Sequence, residues 1–121
     1  MAYLYIGDQK VSPVLTRDYQ VSTISGTTPT INLNEYTVYT AEEELTSLTI
    51  INPVSIANDF IAQINFISGS VPTIINSTDI EWFGDNVNGA IPVLRADCSY
   101  TIMFYYTGTT LRGIIQGSSI L

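Results

Sequence analysis

The stretch Ser99–Gly117, SYTIMFYYTGTTLRGIIQG, decides the fold. Its first half sorts alternate side chains onto opposite faces of an extended strand, because the side-chain period of a strand is two. The turn Thr107–Thr109 contains a glycine that can adopt positive φ, and an apolar return segment follows it. Gly113 interrupts that segment and predicts a bulge or a close backbone approach. The stretch predicts a β-hairpin, which other strands must cover because a lone hairpin is not stable.

Further extended segments lie before the hairpin, with turn signals between them and no long segment of helical period. They are Ile31–Thr40, Leu45–Ile51, Phe60–Ile67, Val71–Ile75, Ile80–Phe83 and Ala90–Leu94. The charged run Ala41–Glu44 is interpreted as a solvated connection. The pattern predicts an all-β fold, an antiparallel β-sandwich of jelly-roll-like type. Its predicted core is Phe60, Ile64, Phe66, Trp82, Ile102 and Phe104.

The chain divides into three parts by composition. Residues 1–15 form an apolar N-terminal segment with strand-like pieces, which would be a sticky edge unless it pairs with the domain's own sheet or with another subunit. Residues 16–30 are polar and rich in breakers, so we interpret them as a linker or long loop with a weak strand near Tyr19–Ile24. Residues 31–121 form the β-sandwich domain.

Composition excludes several functional classes. The 121 residues are 45% hydrophobic, which is enough for one domain with a real core. The net charge is −7 and the four basic residues are scattered, so nucleic-acid binding is not expected. There is no histidine, which excludes Ser-His-Asp and Cys-His catalysis, and the single Cys98 is interpreted as an inert thiol. No signal peptide or membrane-spanning stretch is visible, and we expect no cofactor and no membrane insertion.

Three patterns suggest chemistry, and for each the structural interpretation is preferred. Asp79 and Glu81 would share a strand face, and paired carboxylates can cleave glycosidic bonds, but productive pairs normally come from different elements. The side chains of Asp85, Asn86, Asn88 and Asp97 offer oxygen ligands, although the spacing lacks the pattern of a calcium loop. Aromatic residues could build a sugar-stacking platform, or belong to the core: Tyr36, Tyr39, Trp82, Phe83, Tyr100, Tyr105 and Tyr106.

Two stretches resemble parts of known virion proteins. The opening YLYIGDQKVSPV, residues 3–14, resembles the short starts of tailed-phage structural proteins such as head fibres and tail-associated proteins. The stretch Leu48–Gly117 resembles the β-sandwich domains of phage fibre and decoration proteins, in which an apolar strand, a Trp strand and a Tyr-rich hairpin follow one another. The two stretches cover most of the chain.

The resemblance implies a non-enzymatic structural protein of the virion, a head fibre or capsid decoration component that contacts capsid or tail proteins. The N-terminal segment would attach it to the particle through Tyr3, Leu4, Tyr5, Ile6, Val11 and Pro13. The alternative is a tail-associated adhesin or carbohydrate-binding module that contacts host glycans. Trp82, Met103 and Tyr105 are the candidates for a glycan or subunit contact.

Exposed apolar segments also predict self-association. These are the N-terminal pieces and the second face of the hairpin, which carries Met103, Tyr105 and Ile114. The resemblance implies a trimer, and a two-fold dimer that buries the same strands is the alternative.

Overall fold

The computed structural model describes residues 4–6, 9–11, 19–53, 56, 59–84 and 89–121. These residues contain no helix, so the all-β prediction is confirmed. The strands are β1 (Leu4–Ile6), β2 (Gln9–Val11), β3 (Gln20–Ile24), β4 (Thr30–Asn32), β5 (Thr37–Glu44), β6 (Ser47–Ile51), β7 (Ile61–Ser68), β8 (Ile74–Ser77), β9 (Ile80–Gly84), β10 (Cys98–Tyr106) and β11 (Leu111–Ser119).

The largest sheet has six strands in the order β3-β5-β7-β10-β11-β9. Strands β7, β10 and β11 are antiparallel neighbours, whereas β3, β5 and β7 run parallel and β9 runs parallel to β11. The prediction of a purely antiparallel sheet is therefore wrong. The physical reason is the route of the chain, because a strand that is reached by a crossover from another sheet returns in the parallel direction.

A second sheet supplies those crossovers. It has three parallel strands in the order β4-β6-β8. The chain alternates between the sheets, since β4 follows β3, β6 follows β5 and β8 follows β7. Only after β8 does the pattern change, when β9 joins the far edge of the six-stranded sheet and the β10–β11 hairpin fills the space between β9 and β7.

Both sheets contribute to one hydrophobic core. Leu48 and Ile50 of the three-stranded sheet and Ile64 and Ile102 of the six-stranded sheet belong to it, each with at most 1% of its surface exposed. The six residues predicted to form the core are all buried members of this cluster, so that prediction is confirmed.

The predicted hairpin lies inside the large sheet, between β7 and β9. Strands β10 and β11 pair in continuous register from Cys98 to Tyr106, without a bulge at Gly113. The predicted close approach at Gly113 exists, but it is made by the ring of Trp82: a Cβ on Gly113 would lie 2.9 Å from the Cζ3 atom of that ring. Gly108, with φ 95°, forms the turn.

Several segments differ from the sequence prediction, and one of them is β8, which begins at Ile74 and not at Val71. The run Ala41–Glu44 belongs to β5, although its pairing with β7 shifts register between Thr40 and Glu44, and its three glutamates are exposed. Strand β3 lies within the segment interpreted as a linker, where the weak strand was expected, and it belongs to the large sheet. Residues 90–94 contain one isolated bridge, between Ile74 and Val93, and no strand.

The N-terminal strands pair with each other. Leu4 to Ile6 of β1 lie antiparallel to Gln9 to Val11 of β2, so the N-terminal segment contains strands as predicted. This two-stranded sheet is separate from the other two. A search of the described ranges for a helix long and apolar enough to cross a membrane finds none.

Candidate functional site: the outer face of the large sheet

The six-stranded sheet turns one face to the core and exposes the other, which we call the outer face. On this face, one residue from each of the six strands is paired in register with the next, and together they form a row across the sheet. This central row consists of Val21, Val38, Gln63, Met103, Ile114 and Phe83. Five of its six side chains are apolar, and Val21, Met103 and Phe83 are the exposed ones, Val21 with 71% of its surface accessible.

A polar row runs beside the central row on five of the strands. It consists of Thr23, Thr40, Asn65, Thr101 and Gln116, which are neighbours in the same register. The Asn65 side-chain oxygen accepts hydrogen bonds from Gln63 Nε2 at 3.0 Å and from Thr101 Oγ1 at 2.9 Å. These bonds fix the amide of Gln63, the one polar member of the central row.

Charged side chains lie at the margins of the outer face, outside both rows. Arg112 forms an ion pair with Glu81, with 3.1 Å between Nε and Oε1, and its guanidinium carbon lies 4.9 Å from the centre of the Phe83 ring. A hydrogen bond to Tyr105, and then the charge of Glu81, raise the pKa of Arg112 above its usual range. Glu44 lies at the opposite margin, beside Ile67.

The two rows are large enough to form a substantial part of a protein interface. Strands about 4.8 Å apart that rise about 3.3 Å per residue give roughly 350 Å² for the central and polar rows together. A standard interface buries about 800 Å² on each partner, so these rows supply a little under half of one. The outer face contains a shallow depression of about 530 Å³ between β10 and β11, and Met103, Ile114 and Gln116 are among the residues that line it.

Two of the three residues predicted for a glycan or subunit contact lie on the outer face. Met103 belongs to the central row, and Tyr105 is the next outer-face residue of β10. Trp82 does not, because it is fully buried, stacks edge-on against Phe104 at 6.0 Å and donates a hydrogen bond from Nε1 to Ser77 Oγ. Trp82 is thus a core residue, and the prediction of a surface contact for it is wrong.

The remaining aromatic residues do not form one platform. Tyr36, Tyr39 and Tyr100 are buried, and each uses its hydroxyl group within the fold. Tyr105 and Phe83 lie on the outer face, whereas the side chain of Tyr106 lies on the opposite face of β10. The sequence missed the central row because its members come from strands whose order cannot be derived from local alternation.

Of the residues predicted to attach the chain to a particle, Leu4, Tyr5 and Ile6 lie in β1 and Val11 lies in β2. Tyr3 and Pro13 lie outside the described residues. The β1–β2 hairpin is therefore the described part of the predicted attachment segment.

A second depression, of about 620 Å³, lies where β8, β9 and the hairpin turn meet, and we call it the lateral depression. Its walls are Asn52, Ile56, Ser77, Asp79, Ile80, Glu81, Ile91, Tyr106, Thr109, Thr110 and Leu111. Asp79 precedes β9 with φ 52°, and its carbonyl accepts a hydrogen bond from Asn52 Nδ2 at 2.9 Å. Asp79 and Glu81 therefore do not form the predicted strand pair, since Asp79 is outside the strand and Glu81 is paired with Arg112.

The predicted cation ligands are mostly outside the described residues, where Asp85, Asn86 and Asn88 fall. Asp97 is described, has φ 55° and donates its backbone N–H to the carbonyl of Gly69 at 2.9 Å. In the part of the chain that the structure describes, no group of three acidic or cysteine side chains is placed to hold a metal ion.

Comparisons of the chain with protein-family models, curated proteins and solved structures found no match.

Proposed function

We propose that the chain is a non-enzymatic structural protein of a tailed-phage virion, a head fibre or capsid decoration component. The N-terminal segment attaches it to capsid or tail proteins, and the outer face packs against a neighbouring protein subunit of the particle. The six- and three-stranded sheets, which share one core, are the two layers of a β-sandwich in this proposal. The protein assembles as a homo-oligomer: the resemblance to fibres and decorations implies a trimer, and a two-fold dimer is the alternative.

The observation that carries the proposal is the composition of the outer face. The molecule has a net charge of −7, yet the eleven positions of the central and polar rows contain no charged residue. Interfaces are depleted of charged residues in their cores, and contiguous exposed apolar surface is uncommon on proteins that work alone. Two adjacent uncharged rows on an acidic protein are suited to a lasting contact in an assembly.

Reconstitution on particles tests the proposal. Particles purified from a phage whose copy of this gene is deleted are mixed with labelled recombinant chain and sedimented through a gradient. We expect the full chain to co-sediment saturably, and a chain that starts at Thr16 to lose at least tenfold in affinity because its attachment segment is missing. A full chain that stays at the top of the gradient would contradict the proposal.

The lateral depression favours a second candidate, an adhesin or carbohydrate-binding module that contacts host glycans. Hydroxyl, amide and carboxylate groups converge there beside the ring of Tyr106, which is the chemistry that holds a sugar ring. A glycan array separates the two candidates. A saturable hit that is lost in Tyr106→Ala and kept in the matched variant Tyr105→Ala supports the adhesin, whereas no saturable hit supports the decoration protein.

A further inference from the structure

We infer that two copies of this chain join through strand β3, which pairs antiparallel with the β3 of the second copy about a two-fold axis at Ser22. The inference rests on the proposed function, which includes self-association, for its biological setting. Of the two oligomers considered there it favours the two-fold dimer, and it identifies β3 as the strand that forms the contact.

In the part of the chain that the structure describes, strand β3 is an open edge of the large sheet, with β5 as its one neighbour. The opposite edge, β9, carries an isolated bridge between Trp82 and Gly89, and the edge strand β8 of the smaller sheet carries one between Ile74 and Val93. The other open edge, β4, has only three residues.

The sequence of β3, QVSTI, lacks the usual protection of an edge. Natural edge strands are blocked by charged side chains, by proline or by bulges, and β3 has neither charge nor proline and pairs with β5 without a register shift. Its unpaired side is therefore competent to accept another strand.

The direction of the backbone groups fixes which residues would pair. The N–H of Gln20 donates to the carbonyl of Tyr36 at 2.7 Å, so Gln20, Ser22 and Ile24 direct their backbone groups toward β5. Because successive residues of a strand direct these groups to opposite sides, Val21 and Thr23 direct theirs to the open edge.

This arrangement is self-complementary. When Ser22 faces Ser22 of a second, antiparallel copy, Val21 lies opposite Thr23 of that copy, and Thr23 lies opposite its Val21. Both are hydrogen-bonded pairs, in which the two residues exchange both N–H···O bonds. The outward groups of both strands are then satisfied, and the side chains of Val21 and Thr23 stay on the outer face in both copies.

A second copy is the occupant that this edge fits best. The two-fold contact closes both open β3 edges at once and stops there, because an isologous contact leaves no free half. The contact strands also bring no charge together, although each copy is acidic overall. Binding of a strand from a different protein would instead leave purified chain monomeric.

Proline at position 21 tests the hydrogen bonds. Val21→Pro removes an N–H that β5 does not use, whereas the matched control Val21→Thr keeps it and remains β-branched. Light scattering at micromolar concentration should give twice the 13.3 kDa chain mass for the wild type and for the control. The proline variant should associate about thirtyfold more weakly, because two hydrogen bonds are lost per dimer. A monomeric wild type, or a trimer that Val21→Pro leaves intact, would overturn the inference.

Cysteine cross-linking tests the axis without a disruptive change. The only native cysteine, Cys98, is buried. Ser22→Cys should form a dimer under oxidation, because its thiol would face its own copy at about 4.5 Å between Cα atoms, within disulfide reach. Thr23→Cys is the matched control and should cross-link poorly, since it would face residue 21. Equal cross-linking of the two variants would contradict the axis.

These measurements use purified chain in the absence of particles. A failure of the dimer therefore leaves the particle result unaffected, and a failure of co-sedimentation leaves the dimer intact.

Discussion

At the scale of single residues, burial decides which substitutions matter. Phe104 is completely buried and lies against Trp82, while its chain neighbour Met103 is on the outer face with 37% of its surface exposed. Strand alternation separates the two residues, so adjacent positions have opposite roles. One belongs to the core and the other to the proposed contact surface.

Phe104→Ala should lower the free energy of unfolding by about 3–5 kcal/mol, because it leaves a cavity in a packed core. The matched control Met103→Ala should change it by less than about 1 kcal/mol, since its side chain is partly in water. Urea denaturation of both variants, followed by tryptophan fluorescence, measures the difference. Equal losses for the two variants would show that the inner and outer faces of β10 have been confused.

Thr73 provides a second test at this scale. It is buried in the connection between β7 and β8, and its hydroxyl group donates to the carbonyl of Leu45 at 2.6 Å. Thr73→Val preserves shape but leaves that carbonyl unpaired, which should cost about 1–3 kcal/mol of stability. Thr30 is exposed, so Thr30→Val should leave the stability nearly unchanged. Thermal melts that show no difference between the two variants would argue against this bond.

At the scale of elements, local chemistry predicted the hairpin well. The alternation of Ser99–Tyr106 and the glycine at 108 define β10, its turn and β11 almost as the structure has them. The same local signals could not give the strand order, because the parallel pairs join β3 to β5 and β5 to β7 across intervening strands of the other sheet. Trp82 and Phe83 show the consequence, since their exposure depends on which face of β9 is turned to the core.

Gly113 tests the packing between β9 and β11. Gly113→Ala should destabilise the protein by about 1–3 kcal/mol, because the new Cβ would overlap the Trp82 ring, which Phe104 and Ser77 hold in place. The gain of about 0.5–1 kcal/mol from removing a flexible glycine in a strand is smaller. Ser118→Ala in the same strand is the control. A stabilised Gly113→Ala variant in calorimetry would contradict the contact.

At the scale of the whole molecule, the distribution of charge separates two kinds of surface. Exposed glutamates concentrate at the end of β5, and the paired Arg112 and Glu81 lie at a margin of the outer face. The central row lies between these charged regions. Only 12% of the residues are charged, but it is the strand order that shows the uncharged positions to be contiguous.

The most direct test of the proposal places a charge in the central row. Met103→Glu should leave folding intact, because the side chain is partly exposed, but should weaken co-sedimentation with gene-deleted particles at least tenfold, since an unpaired carboxylate would be buried in the contact. Val93→Glu is the matched control, an apolar residue that is 92% exposed outside the outer face. We expect Val93→Glu to co-sediment like the wild type; if Met103→Glu does so as well, the outer face is not the surface that joins this protein to the particle.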